Sequence, residues 1–132
     1  MRYKVVVMAI ASNHFVRIGI GLIVGAGIAS VDNLAFGGEA SPILVVGMLL
    51  AFAATAGIAW GGRATVPTAA GWSWLPLVHL VKHMFAMPDT IHPNTYASIL
   101  KLAAFSLVIV AIGLGLGVGL RRLLRPIARE KI

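Results

Sequence analysis

Two runs of nineteen residues without a single charge, Pro42–Trp60 and Leu102–Leu120, limit this chain more than any other feature. Each makes about 28 Å of α-helix, close to the thickness of a bilayer's hydrocarbon core. In lipid every backbone N–H and C=O must be bonded within the protein, so such a run crosses as a helix. Of the 132 residues, 59% are hydrophobic and only 11% charged, which leaves too few polar side chains to coat a water-facing globule. An all-α integral membrane bundle, forming one transmembrane domain over residues 1–132, is the expected class.

The apolar runs place three spans readily, at about residues 11–31, 42–60 and 98–120. The first has an uninterrupted apolar core of only 14 residues, Ile18–Val31, so its helix must extend back through Arg17 and His14. Arg17 can send its stem to the headgroups. A cleaved signal peptide, with a small-residue site at Gly27-Ile28-Ala29, is the rival reading; a retained first helix is expected. Asp32–Ser41 reads as a short loop carrying Asp32 and Glu39. Pro42 suits a first helical position, and Gly61-Gly62 ends the second span before Arg63. Trp60, Trp72 and Trp74 read as an interfacial belt. Pro126 is expected to stop or kink the last helix within the basic tail, residues 121–132.

The segment from Ala69 to Met87 decides the topology, because it is apolar yet carries His79, Lys82 and His83. If it does not cross, the starting methionine and the basic tail lie on opposite faces. If it crosses, four helices result with both termini cytoplasmic. One side then collects Arg2, Lys4, Arg17, Arg63, Arg121, Arg122, Arg125, Arg129 and Lys131, nine of the 11 basic residues. Cytoplasmic loops are the ones that concentrate Lys and Arg, so four spans in a cell (inner) membrane are expected. The alternative is three spans plus a flat interfacial helix over Leu77–Met87, with His79, Lys82 and His83 on its polar face. Pro76 should kink a crossing helix.

Small residues at four-residue spacing supply faces for close helix packing: Gly21 with Gly25, Ala53 with Gly57, Gly113 with Gly117, and Gly115 with Gly119. Glycines on two sides of the last helix suit self-association or other membrane subunits as partners, besides the lipid bilayer itself. The net charge of +7 does not indicate nucleic acid, because aromatic and basic residues do not interleave as a stacking groove would need. Cysteine is absent, which removes disulfides, thiolate metal sites and Cys nucleophiles.

Chemistry, if any, falls on the third span. His79 and His83 are one helical turn apart and can share a face, making them the candidate cofactor-binding pair. With Met87 on the same face they form a candidate metal set, since His with Met suits copper and His alone suits zinc or haem iron. Lys82, Asp89 and His92 would rim an outward-facing pocket. His14 and Arg17, three apart on the first helix, are candidates for anionic lipid. No GxSxG, Walker A or GxGxxG pattern is present, and no catalytic residue is assigned.

The run from His79 to His92 ahead of the last span resembles the small anchor subunits of succinate and fumarate dehydrogenases. That resemblance implies contact with haem or quinone at His79 or His83. The basic tail departs from the three-span layout of those subunits. Three readings of function follow: a structural or accessory subunit of a membrane assembly with no catalysis of its own, which is the first expectation; a haem- or quinone-contacting redox anchor; and a small transporter or channel for a proton, metal ion or small solute.

Overall fold

In a computed structural model, residues 2–3, 13–34, 42–87 and 95–130 are described. Among them the fold is all-helical, with no strand: α1 (His14–Leu34), α2 (Pro42–Trp60), a short 3-10 turn (Gly61–Ala64), α3 (Thr65–Met84) and α4 (Tyr96–Glu130). Three helical stretches are long and apolar enough to cross a membrane: His14–Asp32, Ile43–Met84 and Tyr96–Pro126. These are compatible with a small multi-pass membrane protein.

The 42-residue stretch Ile43–Met84 is not one rod. It folds back at the 3-10 turn, where Gly61 has φ +61°, a left-handed conformation that only glycine adopts without strain. The fold-back sets Phe52 of α2 against Gly71 of α3, so the two helices run antiparallel with their midpoint near the turn. Thr65 supports the corner by donating its hydroxyl to the Gly62 carbonyl at 3.0 Å.

The far side of the turn is held by Arg121 of α4. Its guanidinium donates to the carbonyls of Ile58 at 2.7 Å and Ala59 at 2.6 Å, and its stem packs 3.3 Å from where a Cβ on Gly61 would lie. A helix leaves its last four carbonyls without internal partners and carries partial negative charge there. Arg121 therefore caps α2 as well as adding to the basic tail. Arg121→Met keeps the stem and loses both bonds; because the site is partly open to solvent, a cost of only about 1 kcal/mol is expected in reversible unfolding in detergent. Arg121→Lys should recover only part of it, since a point charge cannot reproduce the planar fork.

The helices associate as two intimate parallel pairs. In the first, Gly21 and Gly25 of α1 lie against the backbone of Pro67 and Gly71 of α3. In the second, Gly113 and Gly117 of α4 lie against the backbone of Leu50 and Ala54 of α2, and Gly57 of α2 sits 2.9 Å from Leu114 O by its would-be Cβ. Both registers advance in the same direction along each pair. Lipid is as apolar as a leucine side chain, so water exclusion does not drive such contacts; close backbone approach does. Between the two pairs sits a small core of Ile28, Val45, Leu49, Ala53, Leu75 and Val110. The outer surface is strongly apolar, with Ile23, Ile43, Leu100 and Leu116 among its exposed residues. Patches of this extent are rare on water-facing monomers.

The helix limits differ from the sequence expectation in instructive ways. α1 runs on to Leu34, so Asp32 lies in its last turn and not in a loop. α3 begins at Thr65, because Pro67 falls in its first turn where a missing N–H is harmless. It stops at Met84 in a paired-bond C-cap: Ala86 N–H bonds His83 O at 3.2 Å and Met87 N–H bonds Lys82 O at 2.8 Å. Ala86 takes the left-handed position with φ 51°, usually filled by glycine, at a cost of about 1 kcal/mol. Helix α3 continues through Pro76, and α4 continues through Pro126. At 35 residues α4 is about 52 Å long, so its end projects past the level of Gly61 and the carbonyl freed by exposed Pro126 can bond water.

Candidate functional site

The i, i+4 stripe of α3, Pro67, Gly71, Leu75 and His79, faces α1 and is buried throughout. The matching stripe of α1 is Gly21, Gly25, Ile28 and Asp32. The parallel register brings the two polar ends together. His79 Nε2 lies 2.8 Å from Asp32 Oδ2, with side-chain exposures of 1% for His79 and 9% for Asp32. A buried carboxylate without a partner is costly in an apolar medium, and here the imidazole supplies that partner. The pair joins α1 and α3 at the end remote from the Gly61 turn.

A second polar link lies between α3 and α4. Trp72 Nε1–H donates to Ser106 Oγ at 2.8 Å, and the Ser106 hydroxyl is directed back to the carbonyls of Leu102 at 2.7 Å and Ala103 at 3.1 Å. Trp72 is thus tied to a buried serine.

Next to both links is a pocket of about 110 Å³. Its walls are Val45, Val46 and Leu49 of α2, Leu75 of α3, and Leu102, Phe105 and Ile109 of α4. Among the described residues its two polar ones are Asp32 and Ser106. The close contacts of α2 with α4 are at Gly113 and Gly117, and the pocket lies where these helices continue toward the opposite end.

The sequence-selected residues are distributed as follows. His79 faces Asp32. His83, one turn on, meets the ring of Tyr96 edge-on with centroids 4.3 Å apart, so the two histidines engage different helices. Lys82 is half-buried in the same turn, and Met87 is exposed beyond the cap of α3. Asp89 and His92 lie outside the described residues. At the other end of α1, His14 meets Phe15 edge-on with centroids 6.1 Å apart, and Arg17 is buried to 5% exposure.

This arrangement does not suit a haem iron at His79. Its Nε2 already holds Asp32, and the ring has almost no exposed edge for a macrocycle to approach. Among the described residues no three His, Cys, Asp or Glu side chains group closely enough to hold a metal ion. What the dyad can do chemically is share a proton between an imidazole and a carboxylate, and offer the remaining carboxylate lone pairs to the pocket.

Sequence reasoning overlooked three of these groups: Asp32, which it assigned to a loop; Ser106, which it read as part of an apolar run; and Arg121 as a helix cap. The chain matches no protein-family model, no curated protein and no solved structure.

Proposed function

We propose that this is a four-pass protein of the cell (inner) membrane, with both termini cytoplasmic, acting as a structural or accessory subunit of a membrane assembly. The observation that carries this reading is the use of its internal polar groups. Asp32 with His79, Trp72 with Ser106, and Arg121 with the α2 carbonyls each fasten one helix to another. Each of these three contacts thus has a structural role. The antiparallel course of α2 and α3 supports four passes, since each is long enough to cross alone, at 19 and 20 residues. Arg63 and Arg121 belong to the end marked by Gly61, whereas Asp32 and His79 belong to the other, which matches the bias of basic residues toward the cytoplasm. The faces around Gly115 and Gly119, where a Cβ would meet nothing within 4 Å, suit lipid, a second copy or another subunit.

The chain has no cysteine, so single cysteines report topology on a clean background. With a membrane-impermeant maleimide, Phe85→Cys should label in intact cells. Tyr3→Cys, Gly62→Cys and Leu124→Cys should label only after permeabilisation. Labelling of Tyr3→Cys and Leu124→Cys from opposite sides would end the four-pass reading. Native mass spectrometry from mild detergent should show particles larger than the 13.8 kDa chain; a strict monomer at every detergent concentration would end the assembly reading.

A further inference from the structure

The pocket beside Asp32 offers something that the structural role does not require. We infer that it is a binding site for a small apolar molecule bearing one hydrogen-bond donor, a single ring with a hydroxyl, entering from the membrane between α2 and α4.

The chemistry follows from which polar atoms are already engaged. Ser106 lines the pocket, but its O–H points to the Leu102 and Ala103 carbonyls, and its oxygen accepts from Trp72. It has no proton left for a guest. Asp32 lines the pocket too, with Oδ2 bonded to His79. An ionised carboxylate has about four lone-pair sites, so one imidazole leaves acceptor capacity over. Among the described residues the pocket therefore presents an acceptor and no donor. A ketone or an ether would find nothing to bond, whereas a hydroxyl would donate to Asp32. Because His79 already stands beside the carboxylate, a neutral donor suffices and a cationic guest is not needed.

Size and walls agree. The remaining described lining residues are all apolar, which suits an aromatic or aliphatic ring. At about 110 Å³ the pocket is somewhat smaller than the roughly 150 Å³ engineered cavity that takes up benzene, so one ring is its limit. Of the lining residues Phe105 is 58% exposed and Val46 is half-buried. Phe105 belongs to the outward-facing surface of α4 and Val46 borders that of α2, so the approach is lateral, from the acyl region.

The test pairs two probes of nearly equal shape, 4-fluorophenol and 4-fluoroanisole, titrated by 19F NMR into the full-length protein in nanodiscs, with empty nanodiscs subtracted. Saturable binding of the phenol is expected, about tenfold or more tighter than the ether, as a hydrogen bond to a carboxylate warrants. Val46→Phe, at the half-buried lip, should remove saturable binding while circular dichroism stays unchanged. Asp32→Asn, whose amide keeps a bond to His79, should shrink the preference for phenol over ether. Equal affinity for the two probes would overturn the proposal, as would partition into protein-bearing discs no greater than into empty ones. Full phenol binding by a folded Val46→Phe protein would place the site elsewhere and overturn it equally. None of these outcomes bears on topology or assembly, so the site and the structural role fail separately.

Discussion

Replacing Asp32 by leucine is expected to destabilise the protein by about 3–5 kcal/mol, and His79→Leu by a similar amount, yet the double replacement should lie within about 1 kcal/mol of the parent. The reason is the asymmetry of buried ion pairs. Each single change takes the bond between Asp32 and His79 from an ionisable group that stays in an apolar interior, His79 with 1% exposure or Asp32 with 9%. Removing both removes the desolvation penalty together with the attraction, and two leucines fill the gap between α1 and α3. A double-mutant cycle by reversible unfolding in mild detergent measures the coupling directly. If the two single effects simply add, the pair does not hold these helices together and the clasp is not a clasp. Asp32→Asn should fall between, because an amide oxygen still accepts from the imidazole but carries no charge.

That pair was only half legible in the sequence. His79 stands out because an ionisable residue inside an apolar segment needs an explanation. Its partner did not stand out, because Asp32 follows the last residue of an apolar run and looks like the first residue of a loop. Hydropathy marks where lipid-compatible residues end; it does not mark where hydrogen bonding ends, and α1 continues to Leu34. A signal was present all the same. The close-packing stripe Gly21, Gly25, Ile28 repeats at steps of four and three, and the next step of four lands on Asp32. On α3 the stripe Pro67, Gly71, Leu75 lands on His79 in the same way. Two small-residue stripes that end in an acid and a base point to each other once the helices are taken as parallel.

The all-helical architecture was legible from the charge-free runs alone, since those runs have one way to satisfy their backbone. Pro126 was misleading as a stop signal for a reason that is local. Pro76 and Pro126 each delete one hydrogen bond, but neither ends its helix. The exposed position of Pro126 lets water take the freed carbonyl. The partner choice of each helix was less legible still. Four small-residue pairs are visible in the sequence, and nothing in their spacing says which face inward. Gly21 with Gly25 meets α3, Ala53 with Gly57 and Gly113 with Gly117 join α2 to α4, and Gly115 with Gly119 meets open space.

That division sets up the second large effect. Gly25→Val and Gly117→Val should each cost about 3 kcal/mol or more, while Gly27→Val and Gly115→Val on the same helices should stay within about 0.5 kcal/mol of the parent. A Cβ on Gly25 would overlap the backbone of Gly71, and one on Gly117 would overlap the backbone of Ala54. Backbone cannot rotate away as a side chain can, so the helix pair must separate along its whole contact. At Gly27 and Gly115 a Cβ meets nothing within 4 Å. The four variants add the same atoms to the same two helices, so hydropathy, helix propensity and expression burden are matched within each pair. Separation of α1 from α3 has a distinct consequence: in Gly25→Val the bond between Asp32 and His79 stretches too, and adding Asp32→Leu with His79→Leu should then cost less than in the parent. In Gly117→Val that pair is untouched, because it belongs to the other helix couple. If Gly27→Val proves as damaging as Gly25→Val, the close face of α1 is not the one directed at α3, and the register that joins Asp32 to His79 fails with it.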